Sequence, residues 1–283
     1  MSGNSLLDKL RGARGQTFAP IPENLSPEDR RQALLQRIPV SARVELMKKP
    51  IQRRMEAYIT EHEPSRAMLR RANICAFRSE PVLIQGESGT GKEIVAKILL
   101  ANASADTFFP VNCAGLVDTL FESLVFGHIA GTFTGANQSK PGILVSAGTG
   151  TVFFDEIGEL PLLQQAKLLR ALQERQVLPV GAAVEVPVRC RFIFATNRDL
   201  EKLVETGQFR EDLYQRIAAL TLTTYPLRER PSDAHLIADH YCMEKGWEMP
   251  ELVIPDRVIQ SKGNIRALQN WLLRINVFGE DEN

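Results

Sequence analysis

The chain has 283 residues, 44% of them hydrophobic and 24% charged, with 34 Lys+Arg against 34 Asp+Glu. That is the composition of a globular protein with one large domain or two modest ones, and the zero net charge gives no bulk attraction to nucleic acid or membrane. No apolar run approaches the roughly 18 residues of a spanning helix, and the opening "MSGNSLLDKLRGARG" sets charges where a secretory signal needs an apolar stretch, so a cytoplasmic protein with no membrane partner is expected.

Residues 1–62 carry an excess of Lys and Arg over Asp and Glu. "SPEDRRQALLQRIP" predicts a helix: Ser26 caps, Pro27 suits the first turn, Asp29 stands where a capping box places an acid, and Pro39 ends it. A second helix is expected from Pro50, with Ile51, Met55, Tyr58 and Ile59 on one face. Two short basic helices either dock on a larger body or read DNA as a helix-turn-helix. The stretch "RIPVSAR" has no turn glycine, which favours docking.

From residue 64 the pattern alternates. "PVLIQ" reads as a short buried strand, followed by a glycine loop and the helix "KEIVAKILLANA". "TFFPVNCA", "TVFFDE" and "RCRFIFATN" read as further strands. "LPLLQQAKLLRALQER" reads as an amphipathic helix with Leu162, Ala166, Leu169 and Leu172 on its apolar side. Strands alternating with helices predict an α/β fold around a mostly parallel sheet. From about Pro231 the pattern is helical, without clear strands. The expected division is therefore 1–62, a basic helical extension; 63–230, the α/β body; and 231–283, a short helical subdomain.

The four cysteines, Cys75, Cys113, Cys190 and Cys242, form no CxxC pair, which fits buried thiols in a reducing compartment better than zinc. His235 and His240 are five apart, the wrong spacing for a shared metal on one helical face.

Two stretches carry chemistry. "GESGTGKE", Gly86 to Glu93, fits GxxxxGK between a buried strand and a helix, the context a phosphate-binding loop requires. The backbone N–H groups of Gly86, Glu87, Ser88, Gly89, Thr90 and Gly91 can curl around phosphates. The helix N-terminus adds its dipole, and Lys92 can reach the outer phosphates. The hydroxyl residue usual after the lysine is replaced by Glu93, so a Mg²⁺ ligand must come from elsewhere. "TVFFDEIGELP" supplies it. Asp155 and Glu156 end an apolar strand, at the edge where open α/β sheets bind ligands; Asp155 can hold Mg²⁺ directly or through water, and Glu156 can orient the attacking water. Taken alone, the acidic pair reads equally as a turn capping the next helix.

These motifs occur together with "FPVNCAGL", "FGHIAGTFTGA", "QAKLLRALQE", "FIFATNRDL", "GQFREDLYQRI", "PLRER" and "GNIRALQN". Over roughly residues 64–275 the chain resembles the AAA+ ATPase domain of bacterial sigma-54-dependent transcription activators. The resemblance implies a P-loop NTPase core with a helical lid, ATP and Mg²⁺ as cofactors, and a homo-oligomeric ring, typically a hexamer, with ATP bound between neighbours. It implies that Lys92 is the Walker A lysine and that Asp155 and Glu156 are the Walker B pair. Asn112 would hold the glutamate off its water until the target engages. Thr196 and Asn197 would sense the γ-phosphate, Arg210 and Arg216 would reach the neighbour's ATP as fingers, and Arg266 would be a second sensor in the lid.

The loop "GTFTGA" (Gly131, Thr132, Phe133, Thr134, Gly135 and Ala136) is the signature that separates this branch from other AAA+ proteins. The resemblance implies that it rises toward the sigma-54 factor of RNA polymerase holoenzyme, with Phe133 as the contact and Thr134 shaping the tip. Departures from the family pattern are Thr132 in place of Ala, Leu124, Ile129 and Ala130 in place of charged residues, and "SKGN" in place of WPGN in the lid. Too few residues follow Arg266 for the family's C-terminal helix-turn-helix, and the first 62 leave no room for a receiver domain. The chain would then be a minimal activator working from solution, or DNA contact would come from the basic N-terminal segment or a partner, unless the sequence is a piece of a longer protein. The expected function is ATP-driven opening of sigma-54 polymerase–promoter complexes. The alternatives are an AAA+ remodeller of another protein target and a nucleotide-binding adaptor without turnover.

Overall fold

The computed structural model describes residues 58–101, 107–115, 118–133, 136–247 and 253–279. The helices expected at residues 27–38 and from Pro50 onward fall outside these, apart from Tyr58 and Ile59. Those two are not helical; residues 58–62 run without regular structure into the first described helix.

In chain order the strands are β1 (Val82–Gln85), β2 (Phe108–Asn112), β3 (Gly127–His128), β4 (Lys140–Pro141), β5 (Thr151–Asp155), β6 (Gln176–Val177), β7 (Val186–Pro187), β8 (Arg191–Thr196) and β9 (Thr221–Thr223). The helices are α1 (Glu63–Ala76), α2 (Lys92–Ala101), α3 (Asp118–Val125), α4 (Ile143–Ser146), α5 (Leu162–Glu174), α6 (Leu200–Glu205), α7 (Glu211–Ile217), α8 (Asp233–Lys245), α9 (Asp256–Ile259) and α10 (Asn264–Phe278).

The central sheet has five strands in the order β2-β5-β8-β1-β9, and every pairing in it is parallel. Parallel strands need crossovers, and helical crossovers cover both sheet faces, so the strands are apolar throughout rather than alternating. Side chains nevertheless alternate between two cores. Leu83, Phe109, Val111, Val152, Phe154, Phe192 and Phe194 enter one; Val82, Ile84, Phe108, Phe153, Ile193 and Ala195 enter the other. Phe154 stacks on Phe194 at 5.5 Å and on Phe192 at 6.3 Å. Each ring buried this way contributes roughly 1.5–3 kcal/mol. A third core holds Leu227, Ala234, Ile237, Leu268, Trp271 and Leu272, and builds the helical end of the chain.

One sequence expectation needs correction, and one strand is not anticipated by the sequence. On α5 the buried residues are Gln164, Gln165, Leu168, Leu169, Ala171 and Leu172. Leu162 is exposed, because the first turn of the helix stands clear of the core, and two glutamines occupy the buried positions after it. The fifth strand, β9, has no apolar run to announce it: its sequence "TLT" has a single apolar residue, Leu222, between two exposed threonines.

The register fixes what meets at the C-terminal edge of the sheet. Gln85 lies beside Thr196 and beside Thr223, and Asn112 lies opposite Asp155. The loops after β1, β2, β5 and β8 therefore open on the same edge.

Candidate functional site

The loop after β1 needs glycine at its bends. Gly89 has φ +76°, and a Cβ there would come within 2.3 Å of the Gly263 carbonyl oxygen. A Cβ on Gly86 would meet Thr224 Oγ1 at 2.1 Å. Thr90 Oγ1 donates to the Glu87 carbonyl at 2.7 Å and lies 2.7 Å from Thr224 Oγ1. Lys92 opens α2, and its Nζ is folded back on the carbonyls of Gly86 (2.9 Å) and Glu87 (3.2 Å). Burial lowers the Lys92 pKa, against the raising pull of Glu156 and Asp155. A buried ammonium held by two neutral carbonyls, at a helix start and beside a bend that only glycine fits, suits an incoming polyanion. Glu93 is not part of this cluster; it is exposed and pairs along the helix with Lys97 at 3.5 Å.

Across the sheet edge stands the acidic pair. Asp155 ends β5, and its Oδ1 accepts the Glu156 N–H at 3.0 Å. Burial raises the Asp155 pKa, Glu156 adds to the rise and Lys92 opposes it. Glu156 adopts a left-handed backbone, φ +54°, sparsely populated for a side-chain-bearing residue. It turns the chain into a short 3-10 turn, Ile157–Glu159. Its carboxylate accepts the main-chain N–H of Asn197 at 3.2 Å, so the acid and the candidate sensor touch. Thr196, fully buried, accepts the Arg198 N–H through Oγ1 at 3.0 Å. Asn112 is on the adjacent strand, with its Oδ1 accepting the Ala114 N–H at 2.8 Å; its side chain is engaged there rather than with Glu156.

The helical end clamps the phosphate loop from above. Arg266 Nη1 donates to Ser88 Oγ at 3.1 Å, and the Ile265 N–H to the Gly89 carbonyl at 3.1 Å. Three residues with no sequence-assigned role complete the clamp. Asn264, buried with φ +52°, donates to Glu87 Oε2 (3.2 Å) and the Ser88 carbonyl (3.0 Å), and accepts the Leu227 N–H (2.8 Å). Arg228 binds both oxygens of Glu87, with Nη1 at 2.8 Å from Oε2. Arg230, 1% exposed, donates to the carbonyls of Thr90 (3.0 Å) and Tyr225 (3.1 Å) and lies 4.9 Å over the Tyr58 ring. Tyr58 in turn donates to the Thr90 carbonyl at 3.3 Å. Only "PLRER" and "GNIR" hinted at these contacts, and neither says which residue meets which.

Arg210 and Arg216 bracket α7. Arg210 is the N-cap residue and Arg216 lies in the last turn; both are exposed. Arg210 is paired with its near neighbour Asp212, Nη2 to Oδ2 at 2.6 Å.

The "GTFTGA" loop follows β3. Its base is closed by the Gly131 N–H on the Ala136 carbonyl (2.8 Å) and the Ala136 N–H on the Phe133 carbonyl (3.0 Å). Thr134 and Gly135 lie outside the described residues. Phe133 is 37% exposed, and its ring meets the edge of His128 at 5.0 Å. His128 Nε2 faces the Gln138 carbonyl at 3.0 Å, so Nε2 carries the proton, and Nδ1 accepts from Ser123 Oγ at 2.7 Å. Burial lowers the His128 pKa and favours this neutral form. The departures Ile129 and Thr132 have a structural place. Thr132 Oγ1 donates to the Ile129 carbonyl at 2.9 Å, and both side chains crowd Gly181 in the β6–β7 turn, where a Cβ would meet the Thr132 methyl at 2.1 Å.

The sigma-54 interaction domain family matches residues 58–223. Among curated relatives, the chain is 43% identical over 209 residues to regulatory protein AtoC of Escherichia coli K12, covering 70% of this chain and 45% of that one. It is 42% identical over 230 residues to the sigma54-dependent transcriptional activator SfnR of Pseudomonas putida, covering 77% and 62%. Among solved structures, NtrX of Brucella abortus in complex with ATP superposes with TM-score 0.70 at 26% identity, over 82% of this chain and 55% of that one. A mutant of Thermotoga maritima RuvB superposes with TM-score 0.52 at 17% identity, covering 81% and 68%, which shows the shared fold alone. The chain spans about half the length of the curated relatives it matches. No helix among the described residues is long and apolar enough to cross a membrane.

Proposed function

Because the chain belongs to the sigma-54 interaction domain family, we propose that it is an ATP-hydrolysing AAA+ activator that remodels sigma-54 RNA polymerase holoenzyme through its "GTFTGA" loop. The observation that carries the reading is that Lys92, at the start of the helix after β1, Asp155–Glu156, at the end of β5, and Thr196–Asn197, at the end of β8, share one edge of three neighbouring parallel strands, with the Glu156 carboxylate bonded to the Asn197 N–H. Bound ATP would supply the phosphoanhydride bond whose hydrolysis drives the cycle. Lys92 would exchange its two carbonyls for phosphate oxygens. Asp155 would hold Mg²⁺, an ion commonly bound by one or two carboxylates together with substrate phosphates. Glu156, released from Asn197, would orient the attacking water. Asn112, opposite Asp155, would have to leave the Ala114 N–H to restrain Glu156 until the partner engages. Arg266, already on Ser88, would report the nucleotide to the lid.

Arg210 and Arg216 stand exposed on α7 and would complete the site of a neighbouring protomer in a ring. Burying Phe133 against the sigma factor contributes roughly 1.5–3 kcal/mol per loop, and several loops on one ring gain by effective concentration. The test of the enzymatic part is multiple-turnover phosphate release by the full chain. It should disappear in Lys92→Ala, and a chain that fails to turn over ATP would refute the reading.

A further inference from the structure

We infer that Gln165 is a positioning residue that ties the acidic strand end of each protomer to the arginines it presents to its neighbour; the inference rests on the nucleotide-site reading above. Gln165 sits on α5 with 0% exposure. Its Nε2 donates to the carbonyls of Leu160 (2.6 Å) and Gln208 (3.0 Å), and its Oε1 accepts the Arg210 N–H (2.8 Å). Leu160 is the C-cap of the turn that follows Glu156. Arg210 is the N-cap of the helix that carries Arg216. One amide therefore spans the exit of the acidic strand and the start of the arginine helix.

Among the described residues no main-chain hydrogen bond joins 156–160 to 208–210. Packing of buried Phe209 places the second segment coarsely, and side chains set its orientation. Arg198, next to Asn197, makes the parallel tie, with Nη1 donating to the Gly158 carbonyl at 2.9 Å and Nη2 to Gln208 Oε1 at 3.2 Å. A buried amide is tolerated only when its groups are bonded, and here both ends of the amide are. An apolar side chain of similar volume would fill the space and leave the Leu160 and Gln208 carbonyls and the Arg210 N–H without this partner. The cap of α7 would then lose the bond that aims it. A shift of Glu156 on Asn197 would reach Arg210 through Leu160 and Gln165, so the state of a protomer's own site would be felt at the arginine it lends.

The test uses mixed assemblies of full-length chains. Lys92→Ala has no working site of its own but intact arginines. Gln165→Leu has an intact site but a misaimed arginine helix. Gln165→Leu alone should lose on the order of a hundredfold in kcat for ATP, with KM about unchanged. Mixed with Lys92→Ala, it should regain hydrolysis well above the sum of the two, because its sites then meet correctly held arginines. Arg210→Ala mixed with Lys92→Ala is the reference. If the reference is rescued and Gln165→Leu is not, Gln165 serves only its own site or the core, and the inference is wrong. If the reference is not rescued, the shared-site reading fails and the inference falls with it. Wild-type hydrolysis by Gln165→Leu would also overturn it. Should Gln165→Leu not fold, Gln165→Glu, which keeps the volume but puts an acceptor against two carbonyls, is carried through the same mixtures with the same outcomes.

Discussion

Arg228, in the turn that opens the helical end of the chain, grips both carboxylate oxygens of Glu87 in the phosphate loop. The guanidinium holds the Glu87 pKa down to about 2, from an ordinary 4.5, with the Asn264 amide assisting. A carboxylate with a lowered folded value stabilises the folded state above its ordinary pKa, and that contribution fades as pH falls toward the lowered one. We therefore expect the urea midpoint of the wild type to exceed that of Glu87→Gln at neutral pH. The gap should narrow steadily as pH falls from about 5 to about 2. The pair is partly exposed, so the gap should also shrink with added salt. A gap independent of pH would contradict the ion-pair account.

Glu156 is the residue asked to orient water. Glu156→Gln should bind nucleotide about as well as the wild type and lose hydrolysis by on the order of a hundredfold or more. Equilibrium binding of a fluorescent ATP analogue and phosphate release check the two halves separately. Equal loss of both would move Glu156 from the chemistry to the fold of the site.

Asn264 should be costly to replace. Asn264→Ala leaves the Leu227 N–H and the Ser88 carbonyl without this partner and puts alanine at a left-handed backbone position, φ +52°. The expected loss is about 2–3 kcal/mol in chemical denaturation. Asn264→Gly relieves the backbone strain but not the lost bonds, so it should recover only part of the loss. Full recovery would show that the side chain contributes nothing to the clamp.

The buried strands were legible because both faces of a parallel sheet are covered, which leaves uninterrupted apolar runs such as "VLI" and "TVFF". β9 was not, since Leu222 is its only apolar residue and its place beside β1 is decided by pairing, not by composition. The α5 period was legible, but not where its buried face begins. Gln164 and Gln165 read as surface residues until their partners Glu122 and Gln208, far off in sequence, are known. The phosphate loop and acidic pair could be found because each is a local pattern in a local context. Arg228, Arg230 and Asn264 could not, because their partners in residues 87–90 are more than a hundred positions away and only folding brings them together. Glu93 illustrates the reverse: it stands inside the motif, yet its side chain turns along the helix to Lys97.

Delivery of ATP turnover at the sheet edge through Phe133, as proposed, is tested most directly by counting open complexes. Wild type and Phe133→Ala are each incubated with ATP, sigma-54 holoenzyme and a sigma-54 promoter, with phosphate release followed in the same tubes. Phe133→Ala should hydrolyse ATP at close to the wild-type rate and form no open complexes above the level without activator. Promoter opening by Phe133→Ala at the wild-type level would show that the loop is not the point of force, and the proposed mechanism would be wrong.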